Sequence, residues 1–190
     1  FMKDQQTNTY RLIHGEGDGL PGLIIDIYGT NAVIQAHSEG MQLSLHEIAD
    51  ALQEISGLKL TTIYNKSAEA ISKQEGIATG NSHLFGTADS EIVDEYGHRF
   101  YVNWAEGQKT GFFLDQRENR KLLSEMSKNK TVLNTFCYTG GFSVYALQNQ
   151  ASLVHSVDAS EKAVTMTRKN LSLNGFDPHV HECVDSDTFD

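Results

Sequence analysis

The first half of the chain alternates short apolar runs with turn residues, a pattern that is typical of strands. Mostly apolar residues occupy 23–28 and 32–36 on either side of a Gly29-Thr30-Asn31 turn, so a β-hairpin is predicted there. A β-branched segment at 60–64 predicts a further short strand. Between these strands, an amphipathic helix that stops at Gly57 is predicted by the helical spacing of Leu45, Ile48, Ala49, Leu52 and Ile55.

A second hairpin is predicted further along the chain. The segments 91–95 and 99–104 flank a Tyr96-Gly97-His98 turn. Because side chains alternate along a strand, one face of the second segment is expected to carry Phe100, Val102 and Trp104. We therefore predict that the first half forms a small α+β domain, from about residue 8 to residue 105.

The pattern changes near residue 106. Asp115 and Glu118 have the spacing of a capping box with Asp in place of Ser or Thr, which predicts a helix from about Gln116 to Lys128. Strands and helices then alternate, with strands at 132–134, 153–157 and 179–184 and helices at 141–147 and 160–174. Such an order predicts a parallel sheet. Residues 106–190 are therefore expected to form the first half of a doubly wound, Rossmann-like α/β sheet.

Composition narrows the function classes. The chain has 190 residues, two cysteines far apart in sequence and a formal net charge of −10. No apolar run approaches the ~18 residues of a membrane span, and no disulfide framework is indicated, so a reducing cytoplasm is the expected compartment. The acidic total argues mildly against nucleic-acid binding. Basic side chains are nevertheless concentrated at 109–130, where Arg117 and Arg120 could meet RNA phosphates, with a solvated helix face as the alternative.

Three positions in the second half fit a nucleoside cofactor. A Thr139-Gly140-Gly141 turn joins a strand to a helix, at a point where a side chain would block a ligand. Asp158 ends the next strand, where its carboxylate could accept hydrogen bonds from both ribose hydroxyls. Asp187 follows the third strand, where it could accept from the exocyclic amine of adenine while Phe189 packs on the ring. All three lie at the carboxyl ends of strands, which is where α/β sheets bind ligands.

At these residues the chain resembles a known family. The segment 107–120 (GQKTGFFLDQRENR) looks like the signature before the cofactor domain in bacterial ribosomal-RNA cytosine-C5 methyltransferases of the large-subunit type. The segments 136–142, 156–160 and 187–189 resemble the first, second and third S-adenosylmethionine motifs of that family, and 14–23 is similar to the opening of its middle α/β domain. The joint match, in this order, covers nearly the whole chain.

The resemblance implies a cofactor, S-adenosylmethionine (SAM), and residues that bind it. The methionine portion of SAM would lie against a loop of four residues, Tyr138, Thr139, Gly140 and Gly141. Asp158 would hold the ribose. Asp187 and Phe189 would contact the adenine, and Gln116 with Arg117 would line the pocket from the preceding helix.

The function implied by the resemblance is transfer of the SAM methyl group to C5 of a cytosine in 23S-type ribosomal RNA, which would be the partner. Family members begin with a small RNA-binding domain and carry, further downstream, an Asp-Pro-Pro motif and a cysteine that attacks C6 of a flipped or single-stranded cytosine. The chain starts after the first of these and ends before the others. No catalytic residue is therefore expected within it, and the catalytic half is expected beyond Asp190.

Two other functions stay open at this point. A nicotinamide-dependent dehydrogenase would need a Gly-x-Gly-x-x-Gly fingerprint, whereas only Gly140 and Gly141 occur here, followed by Phe142. The second open function is that of a catalytically incomplete RNA-binding or assembly module. This function is favoured if the full-length gene lacks both the Asp-Pro-Pro segment and the later cysteine. A chain ending at Asp190 would leave the strand at 132–134 with an unpaired apolar edge, so a homodimer through that edge, or disorder there, is also expected.

Other chemically suggestive residues are expected to be structural. Cys137 lies inside the glycine-bearing loop, and nothing nearby in sequence would lower its pKa. His179, His181 and Cys183 alternate on a predicted strand but lack a fourth ligand at a recognised spacing, so no metal site is predicted. The glycine-rich segment 15–22 favours a tight turn over a metal-binding loop.

Overall fold

The computed structural model describes residues 6–70 and 80–189. It divides into two compact units, the first made of the chain up to Asp94 with Val102–Leu114 and the second made of Glu95–Tyr101 with the chain from Asp115 onward. This division differs from the predicted boundary near 105, because the tip of the second hairpin groups with the second unit and 106–114 group with the first.

The first unit contains a five-stranded sheet within the described ranges. Its strands are β1 (Thr9–His14), β2 (Leu23–Tyr28), β3 (Asn31–Ala36), β4 (Thr62–Asn65) and β5 (Ser82–Phe85), and they lie side by side in that order. β3 and β4 are parallel, and the other neighbours are antiparallel. The helices α1 (Glu39–Leu43) and α2 (Leu45–Glu54) connect β3 to β4.

The hydrophobic pattern explains most of this unit and misses its two outer strands. The β2–β3 hairpin, α2 and β4 are confirmed, and the apolar residues of these elements form one buried core that includes Leu23, Ile25, Ile34, Ala49, Leu52 and Ile63. β1 was not predicted because most of its residues are only half-buried and its sequence mixes polar with apolar side chains. β5 was not predicted because it is largely exposed and has no apolar run.

The second predicted hairpin is confirmed. β6 (Ser90–Glu95) and β7 (His98–Asn103) pair with each other, and Tyr96 and Gly97 form the turn with φ values of 49° and 78°. Two successive residues with positive φ are what a tight two-residue hairpin loop requires. The predicted buried face is present, since the exposed fractions are at most 1% for Phe100, Val102 and Trp104.

The second unit alternates strands with helices, as predicted. Its elements are α3 (Arg117–Ser127), β8 (Thr131–Thr135), α4 (Gly141–Gln148), β9 (Leu153–Asp158), α5 (Glu161–Leu173) and β10 (His181–Asp185). The three strands are parallel in the order β10-β9-β8, which confirms the predicted sheet. In the part of the chain that the structure describes, β8 has a neighbour on one side only, and association of two copies through its other edge stays a prediction. Every described helix is too short or too polar to cross a membrane.

Two local predictions in this unit are wrong. Asp115 lies in a 3₁₀ turn, Leu114–Gln116, and α3 starts without a side-chain cap, so Asp115 and Glu118 form no capping box. Glu118 accepts a hydrogen bond from the Tyr96 hydroxyl instead (2.9 Å). Another 3₁₀ turn contains His179, so β10 begins only at His181 and the predicted row of two histidines and a cysteine on one strand face does not form.

The charged centre of the second unit is a carboxylate with no exposed surface. Glu95, at the end of β6, accepts hydrogen bonds from Arg117 Nε (2.9 Å), from Arg120 Nη2 (2.7 Å) and from the Tyr145 hydroxyl (2.9 Å). Arg117 and Arg120 lie on α3 and Tyr145 lies on α4, so this side chain joins the hairpin tip to both helices. His98 stacks on the Tyr145 ring, with ring centroids 3.9 Å apart.

Removing one member of this cluster tests its structural role. Replacing Arg120 by Met is expected to lower the free energy of unfolding by about 3 kcal/mol, since a buried carboxylate loses its bidentate partner. The control is Lys121→Met, an exposed position next along α3, with an expected loss below about 1 kcal/mol. Urea unfolding of the two variants makes the comparison, and equal losses would contradict a special role for Arg120.

Candidate cofactor site

The loop after β8 has an unusual backbone. Phe136, Tyr138 and Gly140 alternate along it with φ values of 55°, 48° and 76°. For a residue other than glycine, this left-handed conformation costs about 1–2 kcal/mol. Such strain persists only where the surrounding structure holds it, and it is typical of loops that grip a ligand.

Asp158 holds this loop from the end of β9. Its Oδ2 accepts a hydrogen bond from the Tyr138 N–H (2.9 Å), and its Oδ1 accepts one from the Ser160 N–H (3.0 Å). Each carboxylate oxygen has two acceptor positions, so both keep capacity for a further donor such as a ribose hydroxyl. The side chain is half-buried, which leaves it accessible at the carboxyl edge of the sheet.

Gly140 is needed for a reason that the sequence did not indicate. We predicted that a side chain in this turn would block a ligand. In the structure, a Cβ atom on Gly140 would lie 2.7 Å from Cγ2 of Thr167, a fully buried residue of α5. The position therefore excludes larger residues through packing against α5 as well as through its positive φ.

Comparing two glycine substitutions separates these effects. Gly175 also has a positive φ (73°), but a Cβ atom there would meet nothing within 4 Å. Gly175→Ala is expected to lower the free energy of unfolding by about 1 kcal/mol through backbone strain alone. Gly140→Ala adds the clash with Thr167, so we expect a loss of at least about 2 kcal/mol. Chemical denaturation measures both, and equal losses would show that Thr167 yields without penalty.

The residues predicted to contact adenine lie at the same edge of the sheet. Asp187 is exposed, and its Oδ1 accepts a hydrogen bond from the Phe189 N–H (3.0 Å). The Phe189 ring is 86% exposed, and its centroid lies 6.1 Å from that of Phe136, which is 64% exposed. Exposed aromatic rings of this kind offer apolar surface to a planar group. Phe136 opens the segment 136–142 that resembles the first SAM motif, but it is not among the residues predicted to bind the cofactor.

The two residues predicted to line the pocket from α3 have other partners. Gln116 Oε1 accepts a hydrogen bond from Asn119 Nδ2 (3.0 Å). Arg117 is bound to Glu95 and lies over the Tyr96 ring. A place for Gln116 and Arg117 in the pocket wall stays a prediction.

The expectation that Arg120 could meet RNA phosphates is wrong. Its side chain is only 2% exposed, and Glu95 binds its guanidinium from both carboxylate oxygens. Helical spacing could not reveal this, since the partner carboxylate lies 25 positions earlier in the chain. Of the three basic residues on α3, Lys121 is the exposed one.

Neither cysteine is prepared for nucleophilic chemistry. Burial raises the pKa of Cys137 to about 11, and its Sγ lies 3.5 Å from the Thr167 hydroxyl. Burial also raises the pKa of Cys183. Because the thiolate is the reactive form, both side chains stay protonated thiols at neutral pH. This agrees with the structural role predicted for Cys137.

Acidic and histidine residues do not converge on a metal site in the described ranges, where no group of three potential ligands is found. In the glycine-rich segment, Asp18 Oδ2 accepts a hydrogen bond from the His14 N–H (2.6 Å). Asp26 is fully buried and pairs with Arg11 (2.8 Å) and with the Thr110 hydroxyl (2.6 Å). These carboxylates are therefore occupied by the protein's own donors.

Comparison with known proteins decides the family. Residues 82–189, more than half of the chain, match the family model of S-adenosylmethionine-dependent methyltransferases. The chain belongs to this family. The match spans β8, β9 and the loop that Asp158 holds, and it gives no support to the nicotinamide-dependent alternative.

Curated relatives add a more specific likeness. The chain is 42% identical over 175 residues to the ribosomal RNA large subunit methyltransferase I of Tolumonas auensis, covering 90% of this chain and 44% of that protein. It is 39% identical over 184 residues to the protein of the same name from Escherichia coli, covering 96% of this chain and 46% of the relative. The chain thus spans a little under half the length of these relatives.

Solved structures confirm the predicted fold class. A protein from Streptococcus mutans assigned as a SAM-dependent methyltransferase is 28% identical and superposes with a TM-score of 0.85, over 98% of this chain and 48% of its own. A second structure, of an assigned methyltransferase in complex with SAH, gives the same identity and TM-score over 98% of this chain and 47% of that one. SAH is what remains of SAM after the methyl group has been transferred.

Proposed function

We propose that this chain carries the SAM-binding site of a large-subunit ribosomal-RNA methyltransferase that modifies C5 of a cytosine. The observation that carries the proposal is the Asp158 carboxylate, which two backbone amides fix at the carboxyl edge of β9 with acceptor capacity to spare. The names of the curated relatives support ribosomal RNA as the substrate. The choice of cytosine C5 rests on the resemblance of 107–120 and 136–142 to the cytosine-C5 family.

In this proposal the described residues bind and orient the donor. Asp158 accepts hydrogen bonds from the ribose hydroxyls, and Asp187 accepts from the adenine amine while Phe189 covers the ring. The methionine portion lies against the strained loop, whose members are Tyr138, Thr139, Gly140 and Gly141. SAM supplies the methyl group on a positively charged sulfur, and these residues present it at the open edge of the sheet.

Neither cysteine of this chain is suited to be the nucleophile of the proposed reaction. Attack on C6 of cytosine needs a thiolate, and burial keeps both Cys137 and Cys183 protonated. The nucleophilic cysteine of the cytosine-C5 family would then be a residue other than Cys137 and Cys183. An RNA base must be flipped or single-stranded to reach such a residue.

Calorimetric titration with SAM tests the binding site. Asp158→Asn removes the charge but keeps one oxygen acceptor, and we expect it to weaken SAM binding at least tenfold, since hydrogen bonds to a charged group contribute most. The matched control is Glu182→Gln on β10, which removes the same charge from an exposed side chain and is expected to leave the affinity within twofold. Equal affinities for the two variants would refute the role of Asp158.

The acceptor atom needs a separate measurement on the whole gene product that contains this chain. Methylation at C5 releases the C5 proton, so large-subunit ribosomal RNA labelled with tritium at cytosine C5 should release tritium to water in step with methyl incorporation. Methyl incorporation without tritium release would mean that another atom is modified. Tight SAM binding without methyl transfer to the RNA would count against ribosomal RNA as the substrate.

A further inference from the structure

We infer that Thr167 and Asn170 of α5 are positioning residues that hold the SAM-binding loop in its strained conformation. The inference rests on the proposed function, since it assigns a role toward the loop that the proposal places under SAM. The relevant residues, the loop and α5 all belong to the second unit.

Two side chains of α5 anchor consecutive peptide carbonyls of the loop. The Thr167 hydroxyl donates to the Tyr138 carbonyl oxygen (2.9 Å), and the Asn170 Nδ2 donates to the Thr139 carbonyl oxygen (2.8 Å). Both side chains are fully buried. They are three positions apart on the helix, so they lie on the same face, one turn apart.

These bonds fix the direction of a peptide group in the loop. In a planar peptide, the N–H points opposite to the C=O. Anchoring the Tyr138 carbonyl on α5 therefore turns the Thr139 N–H away from the helix. The next N–H, that of Gly140, donates to the Cys137 carbonyl (2.8 Å) and closes the turn.

Packing adds a second constraint from the same helix. The Thr167 methyl group fills the space where Gly140 has no Cβ atom. The loop is thus held by Asp158 from β9 and by Thr167 and Asn170 from α5. Because Tyr138 has a positive φ, loss of the α5 contacts allows the loop to relax toward an ordinary conformation that no longer matches the donor.

The Asn170 side chain makes a second hydrogen bond, which a good control must reproduce. Its Oδ1 accepts a hydrogen bond from the Tyr101 N–H on β7 (2.8 Å). One turn later, Asn174 binds the Arg99 backbone of the same strand with both ends of its side chain (2.9 and 2.8 Å), and its Nδ2 also donates to the Asn170 carbonyl (2.7 Å). Among the described residues, its side-chain hydrogen bonds go to this strand and to α5 rather than to the loop. Asn174→Ala therefore removes a helix-to-strand connection while leaving the loop anchored.

The test compares SAM with 5′-methylthioadenosine, which has the same nucleoside but lacks the amino-acid end of SAM. Thr167→Val removes the hydroxyl and keeps the branched shape, and Asn170→Ala removes the amide. We expect each to weaken SAM binding at least fivefold and to weaken methylthioadenosine binding less than twofold. Asn174→Ala should keep the wild-type ratio of the two affinities. Thr167→Ser, which retains the hydroxyl but loses the methyl group, should give a ratio between those of wild type and Thr167→Val.

The ratio makes the outcomes distinct. Both ligands bind only folded protein, so partial unfolding of a variant cancels from the ratio of its two affinities. If the wild-type chain binds SAM and the ratio is the same in Thr167→Val, Asn170→Ala and wild type, the inference is overturned. If the wild-type chain binds neither ligand, the proposed function fails instead.

Discussion

The Asp158 carboxylate is the contact on which the candidate site depends. It accepts hydrogen bonds from two backbone N–H groups, that of Tyr138 in the loop after β8 and that of Ser160 just after β9. A carboxylate is the right group for this place because it accepts several hydrogen bonds and donates none. In the proposed function the same oxygens that organise the loop would also bind the ribose, so one side chain would serve both the assembly of the site and the recognition of the ligand.

A second constraint in the same unit is the buried Glu95 cluster. Burying the Glu95 carboxylate without partners would cost too much free energy of desolvation. Its partners are the guanidinium groups of Arg117 and Arg120 and the hydroxyl of Tyr145. Such a cluster needs every member at once, so it fixes the hairpin tip against α3 and α4 more sharply than apolar contacts would. α4 begins at the glycine-bearing loop and carries Tyr145, so the same helix connects this loop with the buried charge.

The sequence predicts the elements of this protein well and their polar contacts poorly. Periodicity and turn residues located the two hairpins, the parallel sheet and the carboxyl-edge position of Asp158, because these depend on short-range patterns. The same patterns do not reveal β1, whose residues are mostly half-buried, or β5, whose residues are mostly exposed. The prediction for Arg120 is wrong because the decisive partner, Glu95, is distant in sequence, and no local rule pairs the two.

The glycine-bearing turn shows why a motif match and a mechanism are different statements. Gly140 lies in the segment that resembles the first SAM motif, yet its missing Cβ makes room for the Thr167 side chain. Asp158, in the segment that resembles the second motif, keeps acceptor capacity for a ligand. Thr167 lies outside the short segments 136–142 and 156–160 that resemble the first two SAM motifs. A residue can therefore be essential to a motif only because of a partner elsewhere on the chain. For this loop, Gly140 and Thr167 constrain each other, and a change at one position alters which residues the other can accept.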